Sequence, residues 1–381
     1  MSGSPFLALP GAVVGDAPDE GVAAHYGNPM VEQRRLEEGR AIVDLSNRGV
    51  ITVTGPDRRS WLNSMASRAL DHLEPGESAE ALFLDASGHV EHAVHVVDDG
   101  ERTWLVLEGD AAPALATWLD RMRFMLRVEV ADVSEGFAVV GAMPAGDGFP
   151  AELPVGALVW HDPWRQVLAD GYGYAPEAGH AGAGWRFAEA IVPRDALATL
   201  AGAVRSGSVE VAGTFALEAL RVAAWRPRFA TEVDERTLPH ELDWLRSAVD
   251  LHKGCYRGQE TVAKVVNLGR PPRRLVMLHL DGSDTVLPTQ GDAVIGLKAR
   301  PEPAPGEEPE RRAVGAVTSS AMHHELGPIA LAVVKRAVPA DLELIVESHG
   351  IDVAAAQVEI VPAGAAAAVE VPRLPRLGIR P

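Results

Sequence analysis

Residues 250–265 have the sequence DLHKGCYRGQETVAKV and include the only cysteine of the chain, Cys255. Gly254 and Gly258 stand on either side of this cysteine. Glycine allows backbone conformations with positive φ and lets a loop approach a ligand closely. The residues QETVAKV that follow are typical of the first turns of a helix. Their acidic residue, Glu260, stands near the predicted N-terminus, where the helix dipole favours negative charge. The stretch therefore predicts a tight, ligand-contacting loop that holds Cys255 just before a helix.

Charged neighbours give Cys255 two possible roles. Lys253 and Arg257 flank it in the sequence. Positive charge and a helix N-terminus both favour the thiolate form of a cysteine. A free cysteine is otherwise usually a buried and unreactive apolar residue, in which case the glycines only form a turn. Both roles remain open on the residues alone, but the flanking charges favour a reactive thiol.

The composition narrows the class of protein. With 381 residues the chain exceeds what one hydrophobic core usually serves, so about two or three domains are expected. A formal net charge of -18 disfavours nucleic acid and anionic membrane surfaces as partners. One cysteine cannot form an internal disulfide, and no apolar run approaches the ~20 residues of a membrane span. The first residues, MSGSPFLALPGAVVGDAPDEG, lack a signal-peptide pattern, so a cytoplasmic protein is predicted.

The pattern along the chain predicts an α+β protein with a C-terminal barrel. Residues 51–54 predict a strand, followed by a turn and a helix, and hairpin turns at 85–88 and 98–100 predict antiparallel strands. Helices are predicted at 193–205 and 214–223. From 273 onward, short β-type runs have the spacing of a small barrel. The predicted division is an N-terminal α+β domain at 20–135, a central α+β domain with the cysteine loop at 136–270, a C-terminal β-barrel domain at 271–362, and a tail at 363–381.

The motif KGCYRGQE, residues 253–260, resembles the signature of the YgfZ folate-binding family, which is related to the GcvT aminomethyltransferase (T-protein) of glycine cleavage. DLSNRGVITVTGPDRRSWLNSMAS, ALRVAAWRPRF and AVGAVTSSAM resemble other parts of that family. The resemblance implies a three-part cloverleaf GcvT-like fold, with ferredoxin-like or mixed α+β domains and a C-terminal β-barrel. It also implies tetrahydrofolate, or a one-carbon derivative, in a central channel, and iron–sulfur client or assembly proteins as partners.

If folate is the cofactor, its parts need different side chains. The pterin edge needs paired hydrogen-bonding groups, the benzoyl ring needs apolar walls, and the glutamate tail needs positive charge. We assign Cys255 as the catalytic residue and predict no metal ligands. The predicted cofactor-binding residues are Gln259 and Glu260 for the pterin edge, Trp225 and Tyr256 for stacking, Arg221 and Lys253 for the tail, and Gly254 and Gly258 for close approach.

Three further candidates rest on side-chain chemistry alone. Glu241 is a candidate for the pterin edge, Phe124 for stacking and Arg226 for the tail. The histidines of GHVEHAVHV, residues 88–96, are not expected to bind one metal, because strand geometry separates or opposes them.

The chain departs from the T-protein at the acidic pair that the family pattern places after its glycine-rich turn. His92 and Ala93 occupy those positions, and Glu91 should face the other side of the strand. Ala223 also replaces a family glutamate. The leading hypothesis is a tetrahydrofolate-binding protein that supports iron–sulfur cluster assembly or repair of client enzymes through a reactive Cys255. The alternatives are a folate-dependent aminomethyltransferase, methyltransferase or demethylase acting on a small amine, and a scaffold without covalent chemistry.

Overall fold

The computed structural model of the chain describes residues 3–146, 148–268, 271–283, 286–298 and 309–364. Within these ranges the chain combines α-helices and β-strands. The helices are α1 Pro29–Glu37, α2 Arg58–Met65, α3 Ala112–Met122, α4 Ala196–Ser206, α5 Thr214–Ala223, α6 Phe229–Glu232, α7 Leu245–Ala248 and α8 Gln259–Leu268. The strands are β1 Val13–Val14, β2 Ala23–His25, β3 Ala41–Asp44, β4 Gly49–Thr54, β5 Ser78–Leu84, β6 Val90–Asp98, β7 Arg102–Leu107, β8 Glu129–Asp132, β9 Phe137–Ala142, β10 Leu158–His161, β11 Ala188–Pro193, β12 Glu210–Ala212, β13 Arg273–Leu280, β14 Ala293–Lys298, β15 Glu310–His323, β16 Gly327–Lys335, β17 Glu343–Ser348 and β18 Ile351–Glu359.

The first large sheet is antiparallel and has the strand order β5-β6-β7-β4-β8. Helices α2 and α3 cover one face, where Leu62 and Leu115 pack with Ile51 and Leu105 of the sheet. The opposite face belongs to a larger core that also contains residues of the second sheet and of the barrel. The predicted strand at 51–54, the helix after it and the two hairpins all lie in this unit.

The second large sheet has the order β10-β11-β9-β3-β12, in which β12 runs parallel to β3. Helix α4 covers one face through Leu197 and Leu200. Strand β3 has all four residues buried and therefore lacks the alternation that marks a half-exposed strand. It comes from the segment predicted as the N-terminal domain, yet it pairs with strands that begin near residue 137. The domain boundaries proposed from the sequence stay a prediction.

Strands β13 to β18 form a closed barrel in the order β13-β16-β15-β14-β17-β18. Helix α5 packs against this barrel through β15 and β16. The predicted α+β class with a C-terminal β-barrel is confirmed. Residues 365–381, most of the predicted tail, lie outside the described residues. In the part of the chain that the structure describes, no helix has both the length and the apolar character needed to cross a membrane.

Candidate functional site

A cavity of ≈ 70 Å³ lies between the first two sheets. We call it the central cavity. Ala93 and His95 of β6 line it from the first sheet, and Glu189 of β11 lines it from the second. Aromatic side chains supply much of the remaining wall, as expected of a site for a flat organic ligand. They are Trp185, Phe187, Phe229 and Trp244.

Arginines neutralise most of the carboxylates that line the central cavity. Arg228 is buried and lies 2.8 Å from Glu108 Oε1 and 3.2 Å from Glu218 Oε1, with Asp19 as a third partner at 2.8 Å. Glu108 also contacts Arg48. Burial raises the pKa of the Glu108 carboxyl, but the two guanidinium groups lower it more, so the net shift is downward. The Glu108 carboxylate is therefore ionised and bound within the protein.

Glu189 differs from those carboxylates because its partner is a histidine. Its Oε2 lies 2.6 Å from Nδ1 of His95, and its side chain is almost fully buried. The His95 ring stacks on Trp160 with a centroid distance of 3.7 Å and an interplanar angle of 2°. Burial raises the pKa of the Glu189 carboxyl, but His95 and then Arg48 lower it more, which leaves it below its usual value. An ionised carboxylate oriented by a histidine thus lies in the cavity wall.

Two larger cavities adjoin the central cavity. One, of ≈ 520 Å³, is lined by Asp85, His89, Glu91 and His92 and shares Phe229 with the central cavity. We call it the outer cavity. The other, of ≈ 460 Å³, shares Arg48 with the central cavity and includes Arg194; we call it the rear cavity. A ligand larger than the central cavity could therefore gain room by displacement of one side chain at either end.

The cysteine loop lies beside the outer cavity. Cys255 is exposed. Arg257 forms an ion pair of 2.8 Å with Glu91, and Gly258 packs against the turn that contains Asp85. Both of those carboxylates line the outer cavity. The exposed thiol is therefore held on a loop whose next residues contact the wall of that cavity.

Lys253 fixes the start of this loop. Its ammonium donates hydrogen bonds to the carbonyl oxygens of Asn63, Ala66 and Arg68 at 2.6, 2.6 and 2.9 Å. Burial lowers its pKa to about 8. All three donors of the ammonium are used at the end of α2. Lys253 thus has a structural role in the described residues, and its contact with a folate tail stays a prediction.

Gly258 has the conformation that the sequence predicted for the loop, with φ +84°, whereas Gly254 lies outside the left-handed region. A Cβ atom at Gly258 would lie 2.6 Å from the carbonyl oxygen of Asp85, while one at Gly254 would meet nothing within 4 Å. The prediction of close approach to a folate remains open for both glycines.

Gly258→Ala is expected to destabilise the protein by about 1–3 kcal/mol, because alanine brings both a strained φ and a backbone clash. The matched control Gly254→Ala should change stability by less than about 0.5 kcal/mol. Urea unfolding of the two variants measures the difference. Equal free energies of unfolding for the two variants would mean that the backbone conformation of Gly258 does not hold the loop in place.

Arg221 lines the central cavity, and its guanidinium is bound by other groups of the protein. Its five N–H donors contact Glu218, Glu232, Ser319 and the carbonyl of Arg226. These bonds join α5 to the barrel. All five donors of the buried guanidinium are used within the protein. The contact of Arg221 with a folate tail stays a prediction.

The predicted stacking residues lie in the protein core. Trp225 donates its indole N–H toward Met277 Sδ at 3.0 Å, and its ring lies edge-on to His180. Tyr256 is buried, with the Lys253 ammonium 5.4 Å from its ring centroid. Burial and then Asp250 raise the pKa of the Tyr256 hydroxyl. The residues described as lining the central cavity include neither ring, so their stacking role stays a prediction.

Gln259 and Glu260 begin helix α8, as the sequence predicted. The amide nitrogen of Gln259 lies 3.4 Å from the carbonyl of Lys253, and Glu260 is exposed. Neither is among the residues that line the central cavity. Their role at a pterin edge stays a prediction.

The three candidates chosen by chemistry alone lie elsewhere. Glu241 is fully buried and accepts hydrogen bonds from Arg273 of the barrel. Phe124 is 80% exposed after α3. Arg226 lines the central cavity but contacts Glu80 and Asp162 at 2.6 and 2.9 Å. Of the three, only Arg226 lines the central cavity, and the suggested folate contacts stay predictions.

The two positions at which the T-protein pattern has its acidic pair line different cavities in this protein. Ala93 lines the central cavity and His92 lines the outer one. Glu91 is exposed and paired with Arg257, so it does not supply the missing carboxylate to the central cavity. The second position of the pair thus faces the central cavity with a methyl group.

One group of possible metal ligands occurs among the described residues. Ligand atoms of Asp170, Asp250 and His252 lie within 4.8 Å of one another. Asp250 already accepts the backbone amides of His252 and Lys253, and Asp170 and His252 are largely solvent-exposed. This arrangement is an ordinary capped turn with a surface histidine.

The sequence did not indicate Glu189 as part of the central cavity wall, nor the pairing of Glu189 with His95. Glu189 stands as a polar residue within the apolar run AEAIVP at 188–193, which was the available signal for a buried carboxylate. His95 was considered only as a metal ligand. Its actual partner is distant in sequence and no local pattern indicates it.

Comparison with known proteins defines the fold class. Residues 17–143 match the family model described as GCVT N-terminal domain. The crystal structure of glycine cleavage system aminomethyltransferase T from Bartonella henselae superimposes with a TM-score of 0.71 at 19% identity, over 94% of this chain and 96% of that one. The chain therefore has the aminomethyltransferase fold, and the GcvT-like part of the resemblance is supported. Membership of the YgfZ family stays a prediction.

The curated relatives have more than one described role. A putative chloroplastic transferase of Arabidopsis thaliana is 24% identical over 70% of this chain and 62% of its own length. A mitochondrial iron-sulfur cluster assembly factor IBA57 homolog of Cryptococcus neoformans is 25% identical over 63% of this chain and 66% of its own. The chain thus spans less than two thirds of these two relatives. The aminomethyltransferase of Streptomyces coelicolor is 24% identical over 90% of each chain.

Proposed function

We propose that this protein binds tetrahydrofolate and supports the assembly or repair of iron–sulfur clusters in client enzymes, with Cys255 as its reactive group. The observation that carries the proposal is the exposed thiol of Cys255 on a loop that contacts the wall of the outer cavity. The similarity to IBA57 homologs, which are named as iron-sulfur cluster assembly factors, supports the cluster-related role.

The central cavity has the chemistry that a pterin requires. Its aromatic walls suit a flat ring, and Glu189 offers an acceptor for hydrogen-bond donors. Its ≈ 70 Å³ is below the roughly 300 Å³ of small ligand sites. Binding would therefore require movement of side chains in the cavity wall, and Phe229 and Arg48, each of which also lines a larger cavity, are the first candidates.

The charges around the two larger cavities favour different ends of a folate. The outer cavity is lined by Asp85, Glu91, Asp234 and Glu235, which disfavour a glutamate tail. The rear cavity has both signs of charge, with Arg48 and Arg194 beside Glu20 and Asp110, and is therefore less negative than the outer cavity. We therefore place the tail toward the rear cavity, which leaves the side nearer the cysteine loop open to a protein partner.

A folate-dependent transferase or demethylase is the second candidate. The names of the Arabidopsis and Streptomyces relatives favour it. Against it stands Ala93, which presents a methyl group to the central cavity at a position where the T-protein pattern has a carboxylate. Without that group, the reacting amine has no acidic partner from this strand.

The location and the class of partners that we propose are inferred from the sequence. We propose a cytoplasmic location, while two of the relatives carry chloroplastic or mitochondrial names. The net charge of -18 favours protein partners and a small ligand over nucleic acid or anionic lipid.

Titration calorimetry with 5-formyltetrahydrofolate tests the folate site. The wild-type protein should bind with a dissociation constant of about 1–100 μM. Ala93→Phe should weaken binding more than about tenfold by filling the central cavity, whereas Ala114→Phe, at an exposed position of α3, should not. Thermal unfolding checks that each variant is folded, and Ala93→Leu replaces the larger variant if it is not. Absence of binding by the wild type, or equal binding by the cavity variant, would refute the site.

A further inference from the structure

Exposed apolar side chains lie together in the turn after helix α3, within the sequence MRFML at residues 122–126. We call this segment the apolar turn. Phe124 is 80% exposed and Met125 is 97% exposed, and Met122 and Leu126 are exposed to a smaller extent. In the described part of the chain, the other exposed large apolar residues occur singly or as a pair. Single exposed apolar residues are normal on a protein surface, whereas a cluster indicates an interaction site.

The rest of the protein holds the apolar turn in one conformation. The guanidinium of Arg127 donates to both carboxylate oxygens of Asp57, at 3.0 and 2.7 Å. Arg123 donates to the carbonyl of Val128 at 3.0 Å. Gly55, with φ +102°, makes room for the turn, because a Cβ atom there would clash with the carbonyl oxygen of Arg127. A turn that is already ordered loses little conformational entropy when a partner binds it.

Phe124 has a backbone conformation that a bulky residue rarely adopts. Its φ is +46°, in the left-handed region. Glycine and asparagine are the residues that this region favours. The chain therefore has a large apolar side chain at a position where neither burial nor backbone geometry favours one. Unfavourable local geometry of this kind is common at functional sites.

The charges around the apolar turn indicate which kind of partner fits it. Arg123 and Arg127 form ion pairs with carboxylates of this chain at 2.9 and 2.7 Å. Arg121 is exposed and, within the residues that the structure describes, has no carboxylate partner. An apolar groove with a carboxylate at its rim is complementary to this arrangement. An anionic bilayer fits less well, because it would also face the rest of a chain with a net charge of -18.

The apolar turn and the cysteine loop contact opposite ends of helix α2. Asp57, which binds the turn, directly precedes this helix, and Lys253 of the cysteine loop binds carbonyl oxygens at its C-terminal end. The eight residues of the helix span about 12 Å. A protein that binds the apolar turn can therefore also reach the loop that carries Cys255.

We propose that the apolar turn is the docking surface for a protein partner with an apolar groove and an acidic rim, and that it brings this partner to the cysteine loop. This inference rests on the proposed iron–sulfur function, in which Cys255 acts on a client or assembly protein. Four side chains supply less than the roughly 800 Å² per partner of a standard interface, so the contact is transient. A transient contact suits a protein that serves several partner molecules in turn.

Complementation in a host without its own such protein tests the surface, with the activity of an iron–sulfur enzyme as readout. Phe124→Asn combined with Met125→Ser should lower that activity at least about tenfold, because both side chains at the tip of the turn are lost. The same variant should be as stable as the wild type in urea, since asparagine tolerates the left-handed region. Arg121→Glu should also lower the activity, and Arg121→Lys should retain it. The matched control Val155→Ser, at an exposed apolar residue outside the turn, should have no effect.

Photo-crosslinking identifies what covers the turn. With p-benzoylphenylalanine in place of Met125, the adduct should form with an iron–sulfur assembly or client protein, at a peptide that contains acidic residues, and Arg121→Glu should reduce it. Adducts with lipid or with a second copy of this chain would refute the proposal, as would the absence of any adduct.

Two parallel measurements separate the docking surface from the proposed function. The double variant at Phe124 and Met125 should bind 5-formyltetrahydrofolate as the wild type does in calorimetry, and loss of that binding would place the turn in the folate site instead. If the wild type complements and Cys255→Ser does not, but the double variant complements fully, the docking surface is wrong and the proposed function stands. If the wild type does not complement, both are refuted.

Discussion

Cys255→Ser is expected to abolish the support of iron–sulfur enzyme activity while it leaves the fold and folate affinity nearly unchanged. The thiol is exposed, so replacement of sulfur by oxygen removes no packing. Iron–sulfur clusters are bound mainly through cysteine thiolates, commonly four per cluster, and this chain has one cysteine. The thiol can therefore act only in chemistry beside the bound ligand or in ligation shared with a second protein. Serine supports neither, because a hydroxyl is a far weaker nucleophile and ligand at neutral pH.

The measurement is complementation of a host that lacks its own protein of this kind, with the activity of an iron–sulfur enzyme as readout. Cys255→Ala should fail in the same way as Cys255→Ser, because both remove the sulfur. Calorimetry should give the same folate affinity for both variants and the wild type, which separates loss of chemistry from loss of binding. Full complementation by either variant would leave the protein as a folate-binding scaffold and exclude an essential thiol.

Arg228→Met is expected to lower the free energy of unfolding by about 3–5 kcal/mol at pH 7, because it leaves the buried Asp19 without its arginine partner. Glu108 and Glu218 each keep one other guanidinium partner, from Arg48 and Arg221. Arg228 is 7% exposed and contacts Asp19, Glu108 and Glu218. Burial lowers the pKa of its guanidinium, but these carboxylates raise it more. Urea unfolding at pH 7 measures the decrease in the free energy of unfolding. An unchanged slope of that free energy against urea concentration shows that the native state stays compact.

The effect of Arg228→Met should also depend on pH in a defined direction. In the wild type the pKa of Glu108 is lowered from 4.5, so its contribution to stability is present above pH 4.5 and is lost as pH falls toward its folded-state pKa. In the variant, Glu108 and Glu218 each keep only one of two guanidinium partners and should protonate more readily, so the stability difference should shrink below about pH 4.5.

The matched control for Arg228 is Arg257→Met. Arg257 and Glu91 form an exposed ion pair, with side chains 43% and 40% exposed. Loss of such a pair should cost less than about 1 kcal/mol, because solvent screens it. Equal effects of the two substitutions would mean that water reaches the carboxylates around Arg228 and already compensates their charge.

The sequence predicted those parts of the fold that carry a local periodic pattern. Helix α5 has the predicted bounds, and the barrel strands follow from short apolar runs with turns between them. Strand β3 was missed because a four-residue run buried on both faces has no alternation. Its place in a sheet depends on partners far along the chain, which a local pattern does not encode.

The sequence predicted some residues of the candidate site, but it did not predict which other residues they contact. The sequence indicated that Arg221 is important, and it does line the central cavity. It gave no indication that Glu218, Glu232 and Ser319 use all of the guanidinium donors. Glu189 and His95 are 94 residues apart, and only the packing of the two sheets brings them together. Such pairs depend on tertiary structure and are invisible to motif analysis.

The position of β3 also constrains the order in which the chain can fold during synthesis. This strand leaves the ribosome early, yet its neighbours β9 and β12 begin at residues 137 and 210. Until those residues emerge, both edges of a strand that is fully buried in the folded protein lack their partners, and unpaired edges favour association with other chains. A nascent chain of this protein therefore has an aggregation-prone interval that covers nearly half of its translation, and a chaperone that covers residues 41–44 would act in that interval.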